Sequence, residues 1–363
     1  MKKKKHGIIF KIICAILIVL LAIVLLLAGM IGFLSVTEYK PAETETLTVD
    51  GEGTKELKEN TEISLLTFNI GYGALGDNAD FFMDGGTSVM TADKDRVNKN
   101  LAGILNEVKG IDPDIVLFQE IDKNSTRSHY IDEYGKFKSE LTDYNFSFAN
   151  NFKVAFLPYP IPPIGKVDSG IATASKFEVK KAKRVQLPIP FSWPVRMANL
   201  KRCVLVSRFP IKNSEQELVI FNLHLEAYDD GQGKIAQTKM LADLLNAEAE
   251  KNNFVIAGGD FNQIFSTANK RVYPTYEGMW TPGEIDTSAF GVEGWQFVMD
   301  ESVPSCRSLD IPYKGADKGT FQYYLIDGFI VSNTIEITDF KTQDLGFECS
   351  DHNPVLMKFI LEE

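Results

Sequence analysis

Cysteine is scarce in this chain, and the few residues present are far apart. Only Cys203, Cys306 and Cys349 fall outside the N-terminal apolar run, which holds Cys14. An odd number of distant cysteines is neither a disulfide framework nor a zinc site; one pair could form, and nothing selects which. No segment recurs at solenoid length, so repeat architectures are excluded. Basic character is lacking too. Residues 1–40 carry six Lys and one Glu; without them, 32 basic residues face 48 acidic ones, a net charge of −16. An acidic body repels polyanions at long range, so non-specific nucleic-acid binding is not its default property. Carboxylate clusters suit divalent cations, although ordinary solubilising surface charge accounts for most of these groups.

What is present is enough to fold. Hydrophobic residues at 44% and charged residues at 24% are ordinary globular values, and 363 residues hold one large domain or two smaller ones. The N-terminus is different material. Lys2, Lys3, Lys4, Lys5 and Lys11 precede an uncharged apolar run at residues 12–34. At about 1.5 Å per residue this run matches a hydrocarbon core of roughly 30 Å. The sequence therefore predicts a basic cytoplasmic segment at 1–11 and a transmembrane helix at 12–34, with the rest of the chain outside, at the cell membrane. A cleavable signal peptide is the rival reading and would make the protein secreted. Signal peptides usually have a shorter apolar core (roughly 7–15 residues), and no small-x-small cleavage site follows Leu27. Cys14 has no lipobox around it.

Residues 35–61 have no apolar periodicity and read as a linker, which fully extended would reach roughly 90 Å. From residue 62 to 363 short apolar runs alternate with amphipathic ones. Strands are predicted at 63–69, 114–119, 170–174, 203–206, 217–223, 254–257, 325–331 and 354–360. Helical spacing connects Val97, Leu101, Ile104, Leu105 and Val108, and again Ile235, Leu241, Leu244 and Leu245. Gly110 and Asp112-Pro113-Asp114 stop the first helix. Residues 157–164 and 187–194 carry prolines and read as loops. The alternation is that of an α/β domain; the pattern does not distinguish one doubly wound sheet from two stacked sheets.

Polar groups fall at the ends of these runs. Asn69 ends one, Glu120 another and His224 a third. Asp260 and Asn262 follow Val255-Ile256-Ala257-Gly258-Gly259, Asp327 lies in Leu325-Ile326-Asp327-Gly328, and Asp351-His352 precedes Pro354-Val355-Leu356. Ligand sites in α/β proteins lie at strand ends. Singly, each group has an ordinary explanation: a turn cap for Asn69, an Asx-turn at Asp260, a hydrogen-bonded core residue for His224, a solvated side chain for Glu120, a loop cap at Asp351. Repetition of one strand-end rule in a single domain is what those explanations leave out.

Thr67-Phe68-Asn69, Gln119-Glu120, Asn222-Leu223-His224-Leu225, Gly259-Asp260-Phe261-Asn262, Ile326-Asp327 and Ser350-Asp351-His352-Asn353-Pro354 resemble, in order, the motif set of the endonuclease/exonuclease/phosphatase superfamily. This superfamily includes DNase I-like nucleases, inositol polyphosphate 5-phosphatases and bacterial sphingomyelinases. The resemblance covers roughly residues 63–360, and Gly328 departs from it where many members place an aromatic residue. It implies an α/β four-layer sandwich, two stacked mixed β-sheets flanked by helices. It also implies that Glu120 ligates Mg²⁺ or Mn²⁺ with Asn69 and Asp351 completing the site, hard cations that prefer oxygen donors. Asp260 would orient and deprotonate the attacking water and Asn262 would hold the phosphate or that water. His352, paired with Asp327, would donate to a phosphoryl oxygen, and His224 would stabilise the same charge.

The physical requirement stands beside the resemblance. A phosphoester repels anionic nucleophiles, so its hydrolysis needs a cation, imidazole donors and a carboxylate near the water. The function expected is hydrolysis of a phosphoester, in particular a phosphodiester. Nucleic acid, phospholipid (including sphingomyelin-like head groups) and small phosphoesters remain open as substrates. Residues 176–212 hold ten basic residues, Arg202 among them, and one acidic residue, a segment suited to tracking a nucleic-acid backbone. Phe191-Ser192-Trp193-Pro194 suits either base stacking by Trp193 or insertion into a lipid interface. Arg307 is a further candidate phosphate contact. A catalytically silent membrane-bound binding module is the non-enzymatic alternative. Nothing points to an obligate protein partner.

Overall fold

The strands read as unbroken apolar runs because each is covered on both faces. The computed structural model describes residues 2–229, 231–270, 272–291 and 294–362, backbone only for residues 2–6. In β3 (Ile63–Asn69) Leu65 enters one core while Leu66 and Phe68 enter another. In β4 (Ile115–Asp122) Ile115 and Leu117 alternate in the same way with Val116 and Phe118. Period-two alternation between two apolar layers requires a strand that is central on both sides.

Two seven-stranded mixed sheets result. One runs β17 (Ile335–Thr342), β18 (Val355–Leu361), β3, β4, β6 (Gly165–Ser175), β5 (Asn145–Leu157), β2 (Asp50–Gly51). The other runs β1 (Thr44–Leu47), β7 (Lys181–Gln186), β8 (Cys203–Pro210), β9 (Glu217–His224), β10 (Phe254–Asp260), β16 (Asp327–Ser332), β13 (Trp295–Val298). Leu65, Leu117, Ile220, Ile256, Phe329 and Met357 fill the space between them. Helices α2 (Lys94–Ile111) and α3 (Glu133–Glu140) cover the first sheet, and α4 (Gln232–Ala249) covers the second. Two small pairs complete the strands: β11 (Gln263–Phe265) with β12 (Gly283–Ile285), and β14 (Cys306–Arg307) with β15 (Tyr323–Tyr324). The fold is the four-layer sandwich, and stacked sheets replace the doubly wound alternative.

Local signals act mostly as expected. Asp93 caps α2, accepting from Arg96 N at 2.8 Å, and the helix ends at Asp112, whose φ of 52° is left-handed. Of the expected stop signals, Asp112 forms the cap, while Gly110 lies inside the last turn. Strands β5, β7 and β17 were not among the predicted strands. Each exposes part of one face and mixes polar with apolar residues, so the alternation is blurred. All four cysteines are free thiols.

The greatest difference lies N-terminal to β3. Helix α1 (Lys2–Thr37) includes residues 7–37, long and apolar enough to cross a membrane. The stretch expected to be a linker is not free chain. β1 extends the edge of one sheet by pairing with β7, β2 extends the other by pairing with β5, and Lys55 and Leu57 bridge to Phe177 and Ile211. Leu57 is buried and Lys55 pairs with Asp114 at 2.5 Å. Short strands without apolar periodicity give no sequence signal when their partners supply the burial.

Candidate active site

Strand register brings the polar groups together. Parallel β9 and β10 place His224 opposite Asp260, and antiparallel β10 and β16 place Asp260 opposite Asp327. In the other sheet Asn69 ends β3 opposite Gln119 of β4. Stacking then joins the two rims: Asn69 Nδ2 donates to Asp260 Oδ2 at 3.0 Å across the sandwich. A second amide bridge lies beneath it, Gln119 Nε2 donating to Asn222 Oδ1 at 2.9 Å. Gly259 permits the approach of β10 to β9, because a Cβ there would lie 2.0 Å from Leu223 O.

Glu120 reaches the site through an irregularity. The pairing of β4 with β6 shifts between Phe118 and Ile121, and Glu120 has a φ of 55°. Such a bulge re-aims the side chain, and a left-handed non-glycine residue costs about 1–3 kcal/mol, a strain that collects at functional sites. Its carboxylate is 3.4 Å from Asn69 Nδ2 and 3.9 Å from His224 Nε2.

The remaining geometry separates the two histidines. His352 Nδ1 is 2.8 Å from Asp327 Oδ2, and His352 Nε2 is 3.9 Å from Asp260 Oδ2. Burial opposes charging His352, but the Asp327 carboxylate outweighs it and the imidazole is held well above its usual pKa. His224 Nε2 lies 3.3 Å from Asp260 Oδ2, yet burial and then the Arg202 charge keep this ring well below the usual value. The surroundings thus drive the two rings in opposite directions, His224 toward the neutral form and His352 toward the charged form. Asp260 is pushed up to about 7 by burial and by Asp327. Asn262 N donates to Asp260 Oδ1 at 2.8 Å and Asn262 Nδ2 donates to Leu225 O, so the Asx-turn and the site are one feature. Ser350 Oγ donates to Asn69 O and accepts from His352 N, tying the Asp351-His352 segment to the end of β3.

The donor set fits a hard divalent cation. Burial raises Asp351 to about 6, opposed by His352, and Glu120 pushes it further the same way. A cation between such carboxylates would reverse that mutual cost. Glu120 and Asp351 offer carboxylate oxygens, and Asn69 Oδ1, which accepts from Gly71 N at 3.1 Å, has a second lone pair to offer. Cys306 approaches Asp351 and His352, with ligand atoms all within 4.8 Å, but burial pushes its thiol up to about 12, which disfavours a thiolate site.

The expected substrate contacts fare differently. Arg307 is buried and donates to Ser308 O and Gly76 O at 2.8 Å each. It lines the cavity above the site, as does Arg202, which is 3.9 Å from Glu226. Trp193 is 58% exposed and is not part of that wall. The basic stretch 176–212 is not an open track: eight of its ten cations pair with carboxylates of this chain, including Lys180 and Arg208 with Glu217, Arg196 and Lys201 with Glu38, and Lys212 with Glu56. Sequence gives charge, whereas its partners come from distant strands.

Other cavity residues carried no sequence signal. Arg127 is fixed by Asp122 at 3.0 Å and lies 3.7 Å over the Tyr72 ring. Tyr228 donates to Asp84 at 2.9 Å, and burial raises that carboxyl to about 6. Asp122 is only five residues from Arg127, but Tyr72 under Arg127 and Asp84 under Tyr228 come from distant segments, so neither contact has a spacing to read.

Stacked mixed sheets carrying amide, carboxylate and imidazole groups on one rim define the DNase I-like class of α/β phosphoesterase folds. The profile of the Endonuclease/Exonuclease/phosphatase family matches residues 66–352, and the chain belongs to that family. No curated protein matches the sequence. Among solved structures, an endonuclease/exonuclease/phosphatase from Beutenbergia cavernae DSM 12333 is 15% identical, with 83% of this chain and 72% of that chain covered and a TM-score of 0.57. ANGEL2, a 2',3'-cyclic phosphatase in complex with adenosine-2',3'-vanadate, is 14% identical over 87% and 99% of the two chains, with a TM-score of 0.54. An endonuclease/exonuclease/phosphatase from Bacteroides vulgatus is 15% identical over 84% and 100%, with a TM-score of 0.52. At these identities the likeness is one of fold.

Proposed function

We propose that the protein hydrolyses a phosphodiester with an activated water in a divalent-cation-dependent reaction at the outer face of a membrane. The observation that carries this reading is the convergence of amide, carboxylate and imidazole groups on one rim around Asp260, with Asn69 Nδ2 at 3.0 Å and His224 Nε2 at 3.3 Å from its Oδ2 and the His352–Asp327 pair at 2.8 Å beside it. Glu120, Asn69 and Asp351 would hold Mg²⁺ or Mn²⁺, which supplies charge neutralisation at the phosphoryl oxygens. Asp260 accepts the proton of the attacking water, its carboxylate oriented by Asn69 Nδ2 and Asn262 N. His352 donates from Nε2 toward a phosphoryl oxygen, since Nδ1 is committed to Asp327. His224 remains a neutral donor beside them. The outer face follows from the lysines before the apolar run.

Full-length protein should hydrolyse bis-p-nitrophenyl phosphate only with Mg²⁺ or Mn²⁺ and stop in EDTA. Glu120→Ala and His352→Ala should each lose on the order of a hundredfold or more in turnover. Wild-type rates in His352→Ala would refute the assignment.

A further inference from the structure

The cavity over the catalytic groups is larger and more apolar than a phosphate requires. It has a volume of about 860 Å³, and its wall runs from Glu120 and His352 past Leu157 and Met197 to Ile31 and Leu34 of α1. The last two belong to the helix that is long and apolar enough to cross a membrane. At about 1.5 Å per residue, Ile31 lies roughly 5 Å from Leu34 along the axis, so this wall runs about one turn along the apolar helix.

Nor can the helix swing freely away from the domain. Its end packs on β5 and on the turn Val195–Ala198, Ser35 Oγ contacts Met197 Sδ at 3.0 Å, and Glu38 pairs with Arg196 and Lys201. With β1 and β2 pinned to the two sheet edges, the catalytic rim is held at a set position relative to the end of α1. The loops beside this wall carry apolar side chains in solvent: Ile161 is 95% exposed, Tyr159 69% and Val195 57%. Tyr159 also packs against Phe82 on the cavity wall, with ring centroids 6.1 Å apart. Aromatic and aliphatic groups exposed together next to a membrane helix are what an interfacial rim presents to lipid.

We infer that the substrate is a membrane phospholipid, drawn laterally from the bilayer that α1 crosses into this cavity. The inference rests on the phosphodiesterase reading above. The phosphodiester sits among the catalytic groups, and the upper acyl chains lie against Ile31, Leu34 and Met197. A polyanionic strand gains nothing from this wall, and eight of the ten cations in the basic stretch that would track one are paired with the chain's own carboxylates. The chemistry needs only water. Its oxygen bonds to phosphorus, one ester P–O bond breaks, the departing alcohol takes one proton, and the monoester keeps the hydroxyl.

Full-length protein reconstituted with Mg²⁺ or Mn²⁺ into vesicles of phosphatidylcholine, phosphatidylethanolamine and phosphatidylglycerol tests this directly. Phosphomonoester is followed by ³¹P NMR, with bis-p-nitrophenyl phosphate assayed on the same sample. Phosphomonoester should accumulate in the wild type and not in His352→Ala. Ile161→Asp and Val195→Asp, both at exposed positions, should lower the ratio of lipid to soluble-ester turnover at least tenfold. Hydrolysis of the soluble ester with all three lipids left intact overturns the lipid proposal and leaves the phosphodiesterase reading standing. An unchanged ratio in both variants overturns lateral access. If neither ester is hydrolysed, the phosphodiesterase reading itself falls.

Discussion

His352 lines the cavity and Asp327 does not, so the Asp327 carboxylate acts through the imidazole. Burial alone would depress His352; Asp327 reverses the direction. Replacing Asp327 with Asn removes the charge and lets burial dominate, so the ring loses its proton at lower pH. Because the protonated ring is the donor, the alkaline limb of kcat/KM should move to lower pH in Asp327→Asn, with about a hundredfold loss at pH 8 and partial recovery near pH 6. A uniform loss at all pH values would point to misfolding rather than to charge. The single motifs were legible at this scale because Asn69, Glu120, His224, Asp260, Asp327 and His352 each close an apolar run. Arg127 and the Asp84–Tyr228 pair were not, since neither has a sequence spacing that marks it.

At the scale of elements, residues 38–61 act as a strap. They edge both sheets, bury Leu57 and pair Lys55 with Asp114. A chain beginning at residue 62 exposes the surface under Leu57, about 1.5–3 kcal/mol for that side chain alone, and unpairs β5 and β7 along one edge. Its thermal midpoint should fall by several degrees relative to a chain beginning at residue 38, measured by calorimetry. Equal midpoints would mean that the strap is ornamental. Amides of β1 should likewise exchange slowly with deuterium, where a linker would exchange at once. The strands with two apolar faces were readable from periodicity, while β1, β2 and β17 were not, because their burial comes from neighbours.

For the whole molecule, the two sheets meet through one apolar layer in which Phe329 is fully buried. Phe329→Ala should cost about 3–5 kcal/mol, visible in denaturant unfolding, and should loosen the contact that holds Asn69 against Asp260. Orientation is testable at the same scale. With Lys2–Lys5 inside, protease added to intact cells should digest the catalytic domain and leave the N-terminal segment protected. Digestion only after lysis would reverse the topology.

Composition and spacing alone determined that the chain carries an apolar run of membrane length, an α/β domain and polar groups at the ends of its apolar runs, whose order resembles a family's motif set. Those properties are local: each depends on neighbouring residues and on the two-residue and 3.6-residue periods. Tertiary structure decided which of those groups meet, which cations are already paired and where the apolar helix stands relative to the site. Register and sheet stacking set the 3.0 Å contact between Asn69 and Asp260, and long-range packing set Ile31 and Leu34 into the cavity wall. Neither follows from spacing, because both join residues more than a hundred positions apart.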